Sequence, residues 1–207
     1  MSQPPQSQAV PGAERDMTPK ADHGEESYKG CDKLVGKAAV ITGGDSGIGR
    51  AVAIAFAREG ASLIVSGRHD DAGRELTAEL RSHGVEAEFV RADVRRESDV
   101  AALLERTIKR FGRLDVAVNN AGTEGAPGPL TEQTPESYAA TFDTNVLGVL
   151  LSMKHELRVM QPQGFGSIVN ISSTMGSRGA PNASLYVASK RSEERRVGKE
   201  CRSRWSP

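Results

Sequence analysis

Cysteine is scarce in this chain: Cys31 and Cys201 are the only two in 207 residues. Two thiols cannot build a disulfide framework, so a reducing cytoplasm is the expected location. Charge of one sign is also lacking, with 27 Lys and Arg against 27 Asp and Glu. Without a basic surplus, neither nucleic acid nor an anionic membrane surface is an expected partner. No apolar run approaches the roughly 18 residues of a membrane span, and the N-terminus has no signal-peptide apolar core. The four histidines are scattered and join no cysteine cluster, so no metal is expected. What remains is 37% hydrophobic residues and a mean hydropathy of −0.44. That suits one globular domain with a core of its own.

The two ends differ from the middle. Residues 1–33 are rich in Pro, Gln, Ser, Gly and charge, with no apolar periodicity. Such a leader buries too little surface to offset its ordering entropy and is expected to be mostly disordered. The alternative is an arm that wraps a partner subunit. Residues 191–207 read RSEERRVGKECRSRWSP and hold the only Trp. That string resembles, residue for residue, one translated frame of a common short-read sequencing adapter. It is therefore expected to be an artefactual tail and is set aside from fold reasoning. Residues 1–190 then carry 21 basic and 24 acidic residues, net −3.

Between the ends, strand and helix patterns alternate. Short apolar runs at 37–42, 62–66, 86–91, 116–119 and 167–171 read as five strands. Helical patterns fill 48–59, with Ile48, Val52, Ala55 and Phe56 on one face, and then 70–82 and 98–111. A further long helix begins at Thr134-Pro135, a cap followed by proline, and ends before Pro162. Its apolar stripe is Phe142, Val146, Val149, Met153, Leu157 and Met160. A last helix begins near Ser184. This alternation with continuously apolar strands predicts an α/β fold: a doubly wound parallel sheet of Rossmann type, in the order 3-2-1-4-5.

Thr42-Gly43-Gly44-Asp45-Ser46-Gly47-Ile48-Gly49 follows the first strand with the spacing TGxxxGxG. Glycines there permit a tight turn, close backbone approach to a pyrophosphate and close helix–strand packing. The helix that follows offers N–H groups and a positive dipole end to phosphates. Placed between strand and helix, the turn predicts dinucleotide binding. The end of the second strand reads Ser66-Gly67-Arg68-His69-Asp70. A carboxylate there suits the NAD ribose and an arginine suits the NADP phosphate, so Arg68 points to NADP. The alternative leaves Arg68 as a solvated loop charge, with Asp70 or Asp71 on an NAD ribose.

Asp93-Val94 and Asn119-Asn120-Ala121-Gly122 follow strands three and four, at the carboxyl ends where such sheets bind ligands. Asn145 interrupts the apolar stripe of the long helix, and a buried amide must find partners. It reads as either a helix-bending buffer residue or a site residue. Ser172-Ser173 closes strand five, and Tyr186 and Lys190 follow four apart on one helix face. An ammonium beside a phenol favours phenolate, which a tyrosine needs in order to trade protons near neutrality.

On these motifs, TGGDSGIG, Asp93-Val94, NNAG, Asn145, Ser173 and YVASK, residues 34–190 resemble the classical short-chain dehydrogenase/reductase family. The leader and the first βα unit look like its glucose-1-dehydrogenase-like, bacterial stress-associated subgroup. The resemblance implies that Tyr186 is the general acid/base and that Lys190 lowers its pKa and binds the nicotinamide ribose. Ser173 would bind the substrate oxygen, and Asn145 would hold a water that links Lys190 to bulk solvent. Gly43, Gly47, Ile48 and Gly49 would cradle the pyrophosphate, and Asp93 would hold the adenine. Asp45, Ser46, Arg68, Val94, Asn120, Ala121 and Gly122 would complete the cofactor site. The implied reaction is hydride transfer between NADP(H) or NAD(H) and a small-molecule carbonyl/alcohol pair, in a homo-oligomer (dimer or tetramer). In that family the chain continues past YxxxK through a sixth strand, a substrate-covering loop and helix, and a seventh strand. This chain is therefore expected to be truncated after strand five and the start of the next helix. A non-catalytic dinucleotide-binding module and an inactive fragment of the enzyme are the competing readings.

Overall fold

The computed structural model describes residues 16–196; residues 1–15 and 197–207 lie outside the described part, and with them the first half of the leader and most of the expected tail. Five parallel strands, β1 Ala38–Thr42, β2 Ser62–Gly67, β3 Ala87–Arg91, β4 Val116–Asn119 and β5 Ser167–Asn170, form one sheet in the order β3-β2-β1-β4-β5. The doubly wound arrangement predicted from the alternation is the observed one. β1 is buried along its whole length at the centre. β3 and β5 are the edge strands among the described residues, and Val169 on β5 is 44% exposed.

Alternate strand residues feed two cores. Ile41, Leu63 and Val65 face α1 (Gly47–Arg58) and α2 (Asp70–Ser82), against Ala53, Ile54, Leu76 and Leu80. Val40, Ile64 and Ala117 face α3 (Glu97–Phe111) and α5 (Gly148–Gln163), against Leu103, Leu104, Leu151 and Met160. The register lines up Ser66, Thr42, Asn119 and Asn170 in one polar row at the carboxyl ends of β2, β1, β4 and β5. Four apolar strands thus end together in hydrogen-bonding groups, at the edge where the site lies.

Two helix expectations need correction. On α1 the buried face is Gly49, Ala53, Ile54 and Ala57, whereas Ile48 is 63% exposed. Small residues let the helix lie close on the sheet, while Val52 and Phe56 of the expected face pack partly buried against the same core. The long helix expected from Thr134 runs through as one helical stretch, but it is not α-helical throughout. α4 (Pro135–Phe142), closed at its N-terminus by a reciprocal Thr134–Ser137 capping box, passes through a π-helical turn at Asp143–Leu147 into α5. Nor does it stop before Pro162. The proline sits inside the last turn, where little helix remains to be disrupted, and Gly164 closes the end in the left-handed conformation (φ 81°).

The described half of the leader, residues 16–33, contacts α1 through polar groups. Glu59, buried just past α1, accepts from the backbone N–H groups of Cys31 and Lys33 and from the hydroxyl of Tyr28. Arg58 donates to the carbonyls of Tyr28 and Glu25. Arg50 joins the Glu25 carboxylate to Glu79 on α2. Apolar periodicity is absent from residues 16–33, and polar contacts with α1 hold the segment instead. The final helix, α6 (Ser184–Arg196), begins where the sequence placed it and runs six residues into the expected tail.

Candidate active site and dinucleotide cleft

A cavity of about 320 Å³ opens at the carboxyl ends of the strands. Gly43, Asp45, Ser46, Gly47, Ile48, Arg68, Asp93, Val94, Asn120, Ala121 and Gly122, all singled out in the sequence, line it. Gly67, His69, Ala92 and Thr144 line it as well and were not singled out. Gly49 is buried behind the wall. A Cβ there would meet Gly43 O at 2.2 Å and Asn120 Nδ2 at 2.5 Å. A Cβ on Gly43, whose φ is +61°, would meet Ala121 Cα at 2.8 Å. These two glycines therefore let the first turn press against the turn after β4, and Gly47 and Ile48 are left to face the cavity.

Asn120 laces those two turns together. Its Nδ2 donates to Thr42 O (3.1 Å) and Gly43 O (2.8 Å), and its backbone N–H donates to Thr42 Oγ1 (3.2 Å). Thr42 Oγ1 also accepts from Ala121 N (3.2 Å), a support that the NNAG motif alone did not reveal. Ser46 precedes α1 without capping it through its side chain, and no acidic residue occupies the first turn. That helix end is suited to an anion. On the far wall Asp93 is gripped by Arg95, whose guanidinium holds the carboxyl at about 2. The exposed charge of Arg68 adds weakly in the same direction.

The second cluster adjoins Gly122. Asn145 lies in the π-helical turn and is fully buried. Its Oδ1 accepts from Thr123 N (2.8 Å), and its Nδ2 donates to Thr123 O (2.8 Å) and Ser189 Oγ (2.9 Å). The amide that interrupted the apolar stripe therefore ties α6 to the loop after β4. Thr123 and Ser189, its partners, were not read from the sequence. Thr123 directly follows NNAG, and that adjacency was the available signal. Lys190, 5% exposed, donates from Nζ to Ile171 O at 2.9 Å, and its Nζ stands 6.0 Å from the Tyr186 ring centroid. A Cβ on Gly122 would lie 3.3 Å from Asn145 Oδ1 and 3.6 Å from Lys190 Nζ. Lysine and asparagine thus share the corner where the cavity ends. Ser173 Oγ accepts from Met175 N (3.2 Å) as it starts a short 3₁₀ turn, and half-buried Tyr186 lies on the helix packed against that turn.

A buried carboxyl beneath the site also went unnoticed in the sequence. Glu156 on α5 is 1% exposed, and burial pushes it up to about 7 against the opposing hydrogen bond from Asn119. Its position on the α5 core face, four residues after Ser152, was visible only as a polar break in the stripe.

The profile of the short chain dehydrogenase family matches residues 37–194. The chain belongs to the short chain dehydrogenase family. It is 42% identical over 154 residues to the 3beta-hydroxysteroid dehydrogenase of Mediterraneibacter gnavus, covering 74% of this chain and 55% of that protein. It is 37% identical over 182 residues to General stress protein 39 of Bacillus subtilis, covering 87% and 63%. Among solved structures, NAD+-bound xylitol dehydrogenase superposes with a TM-score of 0.76 at 33% identity, covering 78% of this chain and 62% of that one. A short chain dehydrogenase from Burkholderia phymatum in complex with NAD gives 0.76 at 35%, covering 79% and 58%. The chain thus spans between about half and two thirds of the length of the family members it matches. Among the described residues, no helix is long and apolar enough to cross a membrane, and no group of three His, Cys, Asp or Glu could hold a metal.

Proposed function

We propose that the protein is an oxidoreductase that interconverts a small-molecule carbonyl and its alcohol with a nicotinamide dinucleotide, Tyr186 acting as general acid/base. The observation that carries this reading is the corner formed by Gly122, Asn145 and Lys190, which joins the Tyr186 helix to the end of the cavity. The cavity fits such a cofactor: it has an anion-suited helix end, a glycine turn free of side chains at Gly47, and polar groups on the far wall. When bound, the nicotinamide supplies or accepts the hydride.

The protein's own groups do the rest. Tyr186 passes the proton to or from the substrate oxygen, and Ser173 hydrogen-bonds that oxygen. Lys190 brings a fixed positive charge to the tyrosine and to the ribose of the bound nucleotide. Asn145 holds α6 in register, so that Tyr186 and Lys190 keep their place beside the cavity. Arg68, on the cavity rim, supports NADP, whereas the carboxylate of Asp45 supports NAD. The apolar side chains of Tyr138, Leu147 and Leu150, exposed on α4, the π turn and α5, support a homo-oligomer. One free, exposed cysteine among the described residues supports a cytoplasmic setting.

Dinucleotide titration, followed by a carbonyl-reduction assay on the 207-residue chain and on a chain extended to the length of its relatives, tests the proposal. In whichever form turns over, Tyr186→Phe is expected to lose at least about 10²-fold in kcat with little change in dinucleotide affinity. Turnover near the parent level would refute the role of Tyr186.

A further inference from the structure

The second strand ends on Gly67, so the position at which this fold offers a ribose-binding carboxylate has no side chain. The space is nevertheless filled. A Cβ built on Gly67 would meet Asp45 Cγ at 2.4 Å, Oδ2 at 2.5 Å and Oδ1 at 2.7 Å. The carboxylate of Asp45, reaching over from the glycine-rich turn, occupies the volume of the missing strand-end side chain.

The turn is built to deliver it there. Gly44 N donates to Ser66 O at 3.0 Å, which fastens the turn to the end of β2. Gly44 also packs on Val65, where a Cβ would meet Cγ1 at 2.4 Å, so only glycine lets the turn approach so closely. Asp45 has a side chain only 8% exposed, yet it lines the cavity. Its Oδ2 accepts from the backbone N–H of His69 at 3.2 Å and lies 2.9 Å from His69 Nδ1. Both contacts fall on Oδ2, which leaves Oδ1 with acceptor capacity for a ligand hydroxyl.

Arg68 is the competing determinant. It is exposed on the rim and acts on Asp93 across the cavity. A solvated guanidinium is screened, whereas a mostly buried carboxylate is not. A 2′-phosphate placed at this strand end would bring a second anion against Asp45, and a 2′-hydroxyl would instead donate to it.

We infer that Asp45 substitutes for the strand-end carboxylate, accepts a hydroxyl of the adenosine ribose and selects NAD over NADP, with His69 as the positioning residue. This rests on the dinucleotide reading of the cleft and sets the expectation from Arg68 aside.

Calorimetric titration of the 207-residue chain with NAD+ and with NADP+ tests it without any turnover. The parent chain is expected to favour NAD+. Asp45→Asn keeps the shape and removes the charge, and it is expected to shift the NAD+/NADP+ affinity ratio by about tenfold or more toward NADP+. A second variant, Asp45→Ala with Gly67→Asp, returns the carboxylate to the strand in the vacated space and is expected to restore the preference for NAD+. That variant decides the matter if Asp45→Asn melts early. A parent preference for NADP+, or a ratio unmoved in Asp45→Asn, overturns the assignment of Asp45 alone. Binding of neither nucleotide overturns the dinucleotide reading and this inference with it.

Discussion

Asn119 donates from Nδ2 to Glu156 Oε2 at 3.1 Å and, with the same nitrogen, to Asn170 Oδ1 at 2.9 Å. One amide thus joins α5 to neighbouring strands β4 and β5 through a carboxyl that burial has pushed up to about 7. The sign of the pH effect follows. The folded state holds a proton that the unfolded chain releases near 4.5, so the stability contributed is fully present below about 4.5. It is lost as pH rises through about 7. Over that window the loss is on the order of 3 kcal/mol for a fully buried carboxyl. Glu156→Gln is expected to flatten the decline, as read from urea melts at pH 5, 6, 7 and 8. A parent protein whose midpoint does not fall across this range would contradict the assignment.

Much of this architecture is legible in the sequence. β1, β2 and β4 are apolar runs bounded by turn residues, and α3 carries a regular stripe, so period and punctuation agreed. Hidden features were those in which one residue's role depends on a distant partner. Asp45 sits in a glycine-rich turn, and only the three-dimensional approach of that turn to Gly67 brings its carboxylate to the strand end. Glu156 interrupts the core face of α5, and only the fold brings Asn119 opposite it. The π turn around Asn145 has no local signature in the sequence. It accompanies the bonds from Asn145 to Thr123 and Ser189, 22 and 44 positions away.

Removing the Asn145 side chain should be costly to the fold. Asn145→Ala leaves Thr123 N–H and C=O without the partner each has now. Two half-buried backbone groups without partners cost on the order of 1–3 kcal/mol together, since water can partly replace the lost contacts. Equilibrium unfolding should register that loss. Asn145→Asp keeps the acceptor for Thr123 N–H but turns a second acceptor onto Thr123 O and buries a charge, so it should lose at least as much. Equal stability of all three proteins would show that the amide is incidental.

The leader contacts make a separate prediction. Glu59 is held at about 2, first by the Tyr28 hydroxyl and then by the backbone N–H groups of Lys33 and Cys31. Its contribution is present above about 4.5 and is lost as pH falls through about 2. Glu59→Ala should free residues 25–33, raising their amide hydrogen exchange at neutral pH while the strands stay protected. Unchanged exchange at Cys31 and Lys33 would mean that the carboxylate does not hold them.

Among the described residues β5 has no partner on its outer side, and Val169 is exposed. An unpaired apolar strand edge is a template for association. In the 207-residue chain, Val169→Lys is expected to increase soluble yield and to reduce light scattering on concentration. No gain in either would argue that this edge is covered in solution.

The lacing by Asn120 and Thr42 gives the cleft two mechanical characters. Its floor, where the turns after β1 and β4 meet, is cross-braced by four hydrogen bonds before any ligand arrives. Its lip, Ser46-Gly47-Ile48, is exposed. A nucleotide settling on the floor finds little left to freeze, so the entropy of ordering falls mainly on the lip. Affinity should then respond to changes in lip stiffness, a proline or an alanine at Ser46 for instance, more than to further bracing of a floor that is already rigid.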